Sequence, residues 1–118
     1  MRTYCFRSCI SISHSNDYNK ANSHGHTVEI AAYVRLNEML SDVKKFEDTE
    51  VLIDSCLEPY KECYLNDMEG FEDNVSIEYL GETLFFKFNE KFDDSNICME
   101  RLEIGETPLR TYIITRTA

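Results

Sequence analysis

Ser23-His24-Gly25-His26-Thr27-Val28-Glu29-Ile30-Ala31-Ala32-Tyr33-Val34-Arg35-Leu36 is the stretch that decides the fold. Val28, Ile30, Ala32, Val34 and Leu36 all fall on even numbers, the two-residue period of a strand with one buried face. His24 and His26 share that phase, so a strand that begins early enough to include them points both imidazoles to one side. Two ligands that reach a single metal ion need this arrangement.

Upstream, residues 2 to 13 read as a first strand with Tyr4, Phe6, Ile10 and Ile12 on its apolar face and Arg7, Ser11 and Ser13 opposite. His14, the third histidine of the chain, continues the apolar phase. The polar link Ser15 to Ser23 is a hairpin loop by composition and brings the two strand ends together, so three imidazoles can converge. Three histidines with no fourth strong ligand nearby describe an open coordination shell, the catalytic rather than the structural pattern for zinc. The competing reading makes them surface groups that merely flank a loop.

Downstream, Asn37 to Ser41 reads as a connection, and Ser41 or Asp42 is placed to cap a helix over 43–60. Phe46, Ile53, Cys56, Leu57 and Tyr60 give it one apolar stripe, and Pro59 ends it. Residues 65 to 74 are turn-like. Ser76 then opens a second helix with Ile77, Leu80, Leu84 and Phe88 on one face, fading near Asn89. After a turn at Asp93-Asp94-Ser95-Asn96, a third strand covers 97–104, Gly105-Glu106-Thr107-Pro108 interrupts, and a last strand covers 110–116. The order β-β-α-α-β-β predicts an α+β fold in a single domain over 1–118, a four-stranded antiparallel sheet with two helices on one face. The other face is left for a second copy to cover.

Composition narrows the function. The formal net charge of 118 residues is -10, from 22 acidic and 12 basic side chains without a basic cluster. Nucleic acid is therefore disfavoured as a partner, since phosphate neutralisation needs a positive stripe. There is no apolar run of membrane-spanning length and no signal-peptide core at Met1 to Cys9, so a soluble cytoplasmic protein with no membrane partner is expected. Five cysteines, Cys5, Cys9, Cys56, Cys63 and Cys98, form no CxxC pair and suit reduced thiols. Cys5 and Cys9 fall on the odd face of the first strand, as structural thiols rather than metal ligands.

A histidine closing the first strand, His24-Gly25-His26-Thr27 opening the second, then a helix and Leu65-Asn66-Asp67, Ser76-Ile77-Glu78 at a helix start and Glu106-Thr107 before the last strand form one constellation. It resembles the 6-pyruvoyl-tetrahydropterin synthase and 6-carboxy-tetrahydropterin synthase family over most of the chain. The resemblance implies a T-fold subunit whose strands join those of other copies in a barrel, a homohexamer or other homo-oligomer with active sites at its interfaces. It also implies Zn2+ held by His14, His24 and His26, and a pterin anchored by Glu106 with Thr107 beside it. A carboxylate suits that anchor because it accepts two parallel hydrogen bonds. The implied activity is that of a zinc-dependent lyase acting on dihydroneopterin triphosphate or a related pterin.

The chain departs from the family pattern where acid–base chemistry is done. Lys20 stands four residues before His24, where the family usually has a catalytic cysteine, and Lys61-Glu62 stand in place of an Asp-His pair. Glu62, Lys20 and Cys63 are the candidates to move protons instead. Lys20, Lys61 and Arg110 are also the cations near the expected site, as an anion pocket for substrate phosphates would require. The alternative is a protein that keeps zinc and pterin binding without synthase activity.

Overall fold

Strands β1 (Arg2–His14) and β2 (His24–Leu36) run antiparallel without a break in register, from Arg2 opposite Leu36 to His14 opposite His24. The computed structural model that shows this describes residues 2–36, 43–92 and 97–116. The expected connection at 37–41, the cap at Ser41 or Asp42 and the turn at 93–96 lie outside the described residues. Alternation holds along both strands: Ile10, Ile12, Val28, Ile30, Ala32 and Val34 are buried, while Cys5, Arg7, Cys9 and Ser11 are exposed on the opposite face. β2 therefore does begin at His24, and the histidines share the core side of the sheet.

The sheet has five strands in the order β3-β1-β2-β4-β5, one more than the four-stranded antiparallel sheet expected, and it is mixed. The extra strand, β3 (Cys63–Tyr64), runs parallel to β1 with Cys63 opposite Ile12 and Tyr64 opposite Ser13. Two residues are too few to display a period, so no pattern announces this strand. It forms because the chain leaving helix α1 (Val43–Leu57) passes through a 3-10 turn, Glu58–Tyr60, around Pro59, and Glu62 then takes φ 55°. The Glu62 N–H donates to the Ser11 carbonyl at 2.7 Å and starts the pairing.

Helix α1 ends at Leu57 rather than 60, with Thr49, Ile53, Cys56 and Leu57 buried and Phe46 set edge-on to Tyr4 at 4.7 Å. Helix α2 (Ile77–Phe92) starts where Ser76 predicts, since the Ser76 hydroxyl accepts from the Tyr79 N–H at 3.1 Å. It continues past Asn89 because Phe92 is buried one turn beyond Phe88 and stacks on it. Ile77, Leu80, Leu84 and Phe88 face the core as expected, and each such side chain contributes about 1.5–3 kcal/mol by leaving water. No helix is long and apolar enough to cross a membrane among the described residues.

β4 (Ile97–Thr107) and β5 (Arg110–Thr115) pair antiparallel. β4 absorbs the supposed interruption at 105–107 and contains two irregularities. Against β2, Tyr33 faces Arg101 and Val34 faces Met99, so Glu100 is an extra residue. This bulge lets Ile97 and Met99, on odd numbers, and Leu102 and Ile104, on even numbers, all point into the core. Against β5, Ile104 faces Tyr112 and Thr107 faces Arg110, which leaves Gly105 and Glu106 together opposite Thr111. Gly105 is required there, since a Cβ would come within 2.8 Å of the Arg110 carbonyl oxygen.

Candidate metal centre

His14, His24 and His26 meet at the end of the β1–β2 pair, His14 opposite His24 and His26 opposite Ile12. Their ring centroids are 4.7, 5.0 and 4.7 Å apart with interplanar angles of 63°, 79° and 88°. One ring nitrogen from each lies within 4.8 Å of the others. His14 is buried, His26 half-buried and His24 exposed.

The outer nitrogens decide which inner ones are free. His14 Nδ1 sits 2.7 Å from the Val75 carbonyl oxygen, and a carbonyl only accepts, so Nδ1 carries the proton and Nε2 keeps its lone pair. His26 Nδ1 sits 3.1 Å from Glu106 Oε2, which fixes the same tautomer. The Nε2 atoms of His14 and His26 are both buried with no hydrogen-bond partner. An orphaned polar atom in a core costs about 1–3 kcal/mol, and two beside a third imidazole are the donor set of a cation site. Burial holds the His26 pKa below the ordinary imidazole value; Glu106 opposes this shift and the other two histidines reinforce it. The neutral imidazole so favoured is the form that ligates.

Each partner is delivered by a local feature. Glu106 comes from the second irregularity in β4, where an irregular strand end re-aims a side chain. Val75 is the buried residue just ahead of the Ser76 cap, so the start of α2 sets its carbonyl. The wholly buried Ser15, next to His14, has its N–H and carbonyl bonded to the Asn66 side chain. Sequence reasoning missed the Val75 carbonyl, which no side-chain pattern reveals, and the Asn66 contact, whose only signal was the Leu65-Asn66-Asp67 motif.

The remaining candidates are scattered around this cluster. Lys20 lies in the 3-10 turn Lys20–Asn22 with its ammonium 5.5 Å from the centre of the Tyr64 ring, and the Tyr64 hydroxyl accepts from Ser23, the residue before His24. Cys63 is half-buried on β3, and burial pushes its thiol pKa up. Glu62 is exposed beside Ser11 in a left-handed conformation. Lys61 does not join the site: its ammonium is held 2.6 Å from Asp54 and 2.9 Å from Glu58, and those carboxylates push its pKa up. Thr107 is exposed, and its hydroxyl accepts from Leu109 in the β4–β5 turn. A cavity of about 130 Å³ beside Glu106 is lined by Ile77, Glu78, Thr107, Arg110 and Tyr112 among others.

Compared with known proteins, residues 2–117 match the family model described as 6-pyruvoyl tetrahydropterin synthase. No curated protein matches the chain by sequence search. Among solved structures, the Caenorhabditis elegans 6-pyruvoyl tetrahydropterin synthase superposes with a TM-score of 0.78 at 17% identity, over 98% of this chain and 96% of that one. An uncharacterized Wolinella succinogenes protein gives 0.68 at 11% identity, over 98% of each chain. A Plasmodium vivax 6-pyruvoyltetrahydropterin synthase, solved as a catalytic-residue mutant with a glutamate replaced by alanine, gives 0.64 at 13% identity, over 99% and 98%. At these identities the likeness shows a shared fold, the α+β T-fold.

Proposed function

The chain belongs to the 6-pyruvoyl tetrahydropterin synthase family, and from that premise we propose that it is a zinc-dependent, pterin synthase-like lyase acting on dihydroneopterin triphosphate or a related pterin. The observation that carries the proposal is the pair of buried, partnerless Nε2 atoms on His14 and His26 facing a third imidazole. Zinc held by His14, His24 and His26 would supply a Lewis acid with a position open to substrate oxygen.

The protein's own groups divide the rest of the work. Glu106 anchors the pterin ring in this reading. Its Oε2 is engaged by His26, and a carboxylate retains acceptor capacity for ring donors on its other oxygen. Glu62 is the best candidate for moving a proton. It is exposed and held in a backbone conformation that costs a non-glycine residue about 1 kcal/mol or more, a kind of strain that clusters at functional sites. A glutamate is the catalytic residue replaced in the Plasmodium vivax relative. Cys63 is the weaker candidate, because burial keeps its thiol protonated. With Lys61 paired to α1, Lys20 and Arg110 are left to meet substrate phosphates, Arg110 lining the cavity beside Glu106 with Thr107.

That cavity, at about 130 Å³, is smaller than the roughly 300–1,000 Å³ of ligand pockets. A neighbouring copy would complete it. The outer edge of β1 from Thr3 to Ile10 and the outer edge of β5 lack strand partners among the described residues, and their directions suit antiparallel pairing between copies. We therefore propose a cytoplasmic homo-oligomer, such as a homohexamer, with sites at its interfaces.

One observation favours a second reading, zinc and pterin binding without turnover: Lys20 is held over Tyr64 and Cys63 is kept protonated, so two of the three substitutes for the family's acid–base residues are poorly set for proton transfer. Metal analysis of protein purified without chelator comes first, with one Zn2+ per chain expected and its loss in His26→Ala. Incubation with dihydroneopterin triphosphate then separates the readings. Triphosphate release that falls in Glu62→Gln while metal is retained supports the lyase. Pterin binding without release supports the second reading, and absence of metal refutes both.

A further inference from the structure

We propose that Asn66 is a positioning residue for the metal centre: its carboxamide supplies the strand rung that the backbone of β3 does not, and so fixes the end of β1 that carries His14. The inference rests on the reading of the histidines as a metal centre. β3 pairs with β1 at Ile12 and Ser13 only, after which the chain coils into the 3-10 turn Leu65–Asp67. The outer edge of the next residues, His14 and Ser15, would then lack a partner. Asn66 turns back to fill that place: its Oδ1 accepts from the Ser15 N–H at 2.9 Å, and its Nδ2 donates to the Ser15 carbonyl oxygen at 2.9 Å.

A carboxamide carries the same donor and acceptor as a peptide group, so this two-point contact is a ladder rung made by a side chain. Ser15 is wholly buried; without Asn66 its N–H would be left unsatisfied away from water, which native chains avoid, and its carbonyl would keep only the Tyr18 N–H of the loop, at 3.2 Å. The Ser15 hydroxyl is directed elsewhere, 2.7 Å from both Asp17 Oδ1 and the Asn19 carbonyl oxygen, so it ties the loop rather than the strand. His14 is thus gripped through its ring by Val75, across the ladder by β2, and through the following residue by Asn66. A metal tolerates ligand distances only within about 0.2 Å, so a loosened β1 end would take His14 Nε2 out of a shared shell.

The test compares wild type, Asn66→Ala, Asn66→Asp and the control Arg116→Ala. Aspartate matches asparagine in shape but places an oxygen against the Ser15 carbonyl. The control removes contacts to Asn89 and the Met99 carbonyl, distant from the histidines. Zn2+ affinity is measured by chelator competition, the ligand field by Co2+ absorption and folding by circular dichroism. Both Asn66 variants are expected to stay folded, to bind Zn2+ about 10–100-fold more weakly and to change the Co2+ spectrum, the scale of effect for groups that orient ligands. Arg116→Ala is expected to match wild type in affinity and spectrum. Folded Asn66 variants with wild-type affinity and spectrum overturn the inference while leaving the metal centre standing, and so does loss of folding in both, which would make Asn66 a determinant of the fold rather than of the site. A wild-type protein that takes up neither Zn2+ nor Co2+ overturns the metal reading and this inference with it.

Discussion

Replacing Gly81 by alanine sets two effects of opposite sign against each other at the seat of α2 on the sheet. Inside a helix the exchange is favourable by about 0.8–1 kcal/mol, because glycine loses more backbone freedom on folding. The new methyl carbon, however, would lie 2.7 Å from Ile104 Cγ2, 3.0 Å from Ile114 Cδ1 and 3.7 Å from Tyr112 Cδ2. The Ile114 methyl is the far end of its side chain and can swing aside. Ile104 Cγ2 is attached to a branched Cβ with restricted χ1, on a residue with no exposed surface, and cannot. Restoring ordinary carbon contacts of about 3.5–4.0 Å requires α2 and β4 to part locally by most of an ångström, and such overpacking costs about 1–3 kcal/mol. With so stiff a partner the upper part of that range applies, for a net loss of about 1–2 kcal/mol after the helix gain. Urea titration of both proteins at one concentration, held fixed because any self-association would shift the midpoint, is the measurement. A Gly81→Ala protein at least as stable as wild type would refute the reasoning, and would mean that the helix–sheet contact has room to spare.

The three histidines should not contribute equally. His14→Ala and His26→Ala, which remove the buried and oriented ligands, should abolish Zn2+ uptake, while His24→Ala, which removes the exposed one, should leave measurable weak binding; a chelator titration that ranks His24 first contradicts this order. Iodoacetamide followed by peptide mass spectrometry should find Cys5 and Cys9, which are exposed, modified ahead of Cys63 and Cys56, whose thiol pKa values burial pushes up. The raised pKa means that the folded state disfavours the thiolate. Stability from this source is present below the unfolded value, near 9.0, and is lost as pH rises through the folded one. Labelling of Cys63 at pH 8 as fast as that of Cys9 would show that β3 opens.

Much of the site was legible because one rule, side-chain alternation, governs β1 and β2 over their full length. Even numbering alone placed His14, His24 and His26 on the core side, and the unbroken β1–β2 register put them at one end. The same rule failed in β4, where the extra residue Glu100 reverses parity, so Ile97 and Met99 could not be grouped with Leu102 and Ile104 by counting. β3 was invisible for a different reason. Its two residues are held by what precedes and follows them, Glu62 in a left-handed turn and Asn66 through its side chain, and neither device has a period. Lys61 shows the limit of inferring a role from position. The resemblance sets it in place of one member of an Asp-His pair, yet its charge is held by Asp54 on α1 and Glu58 in the 3-10 turn that follows.

The bulge at Glu100 also bears on how this strand can change length over evolutionary time. Removing one residue from a regular strand turns every later side chain over and exposes half the core. Removing Glu100 does the opposite: Met99, Arg101, Leu102, Glu103 and Ile104 would then alternate inward and outward without a break. The losses would be local, the contacts of Glu100 to Thr3, Arg35 and the Arg116 amide. β4 thus carries a built-in site where a codon can be gained or lost with the core intact, and related chains that differ by one residue in this strand are best aligned with the gap at Glu100.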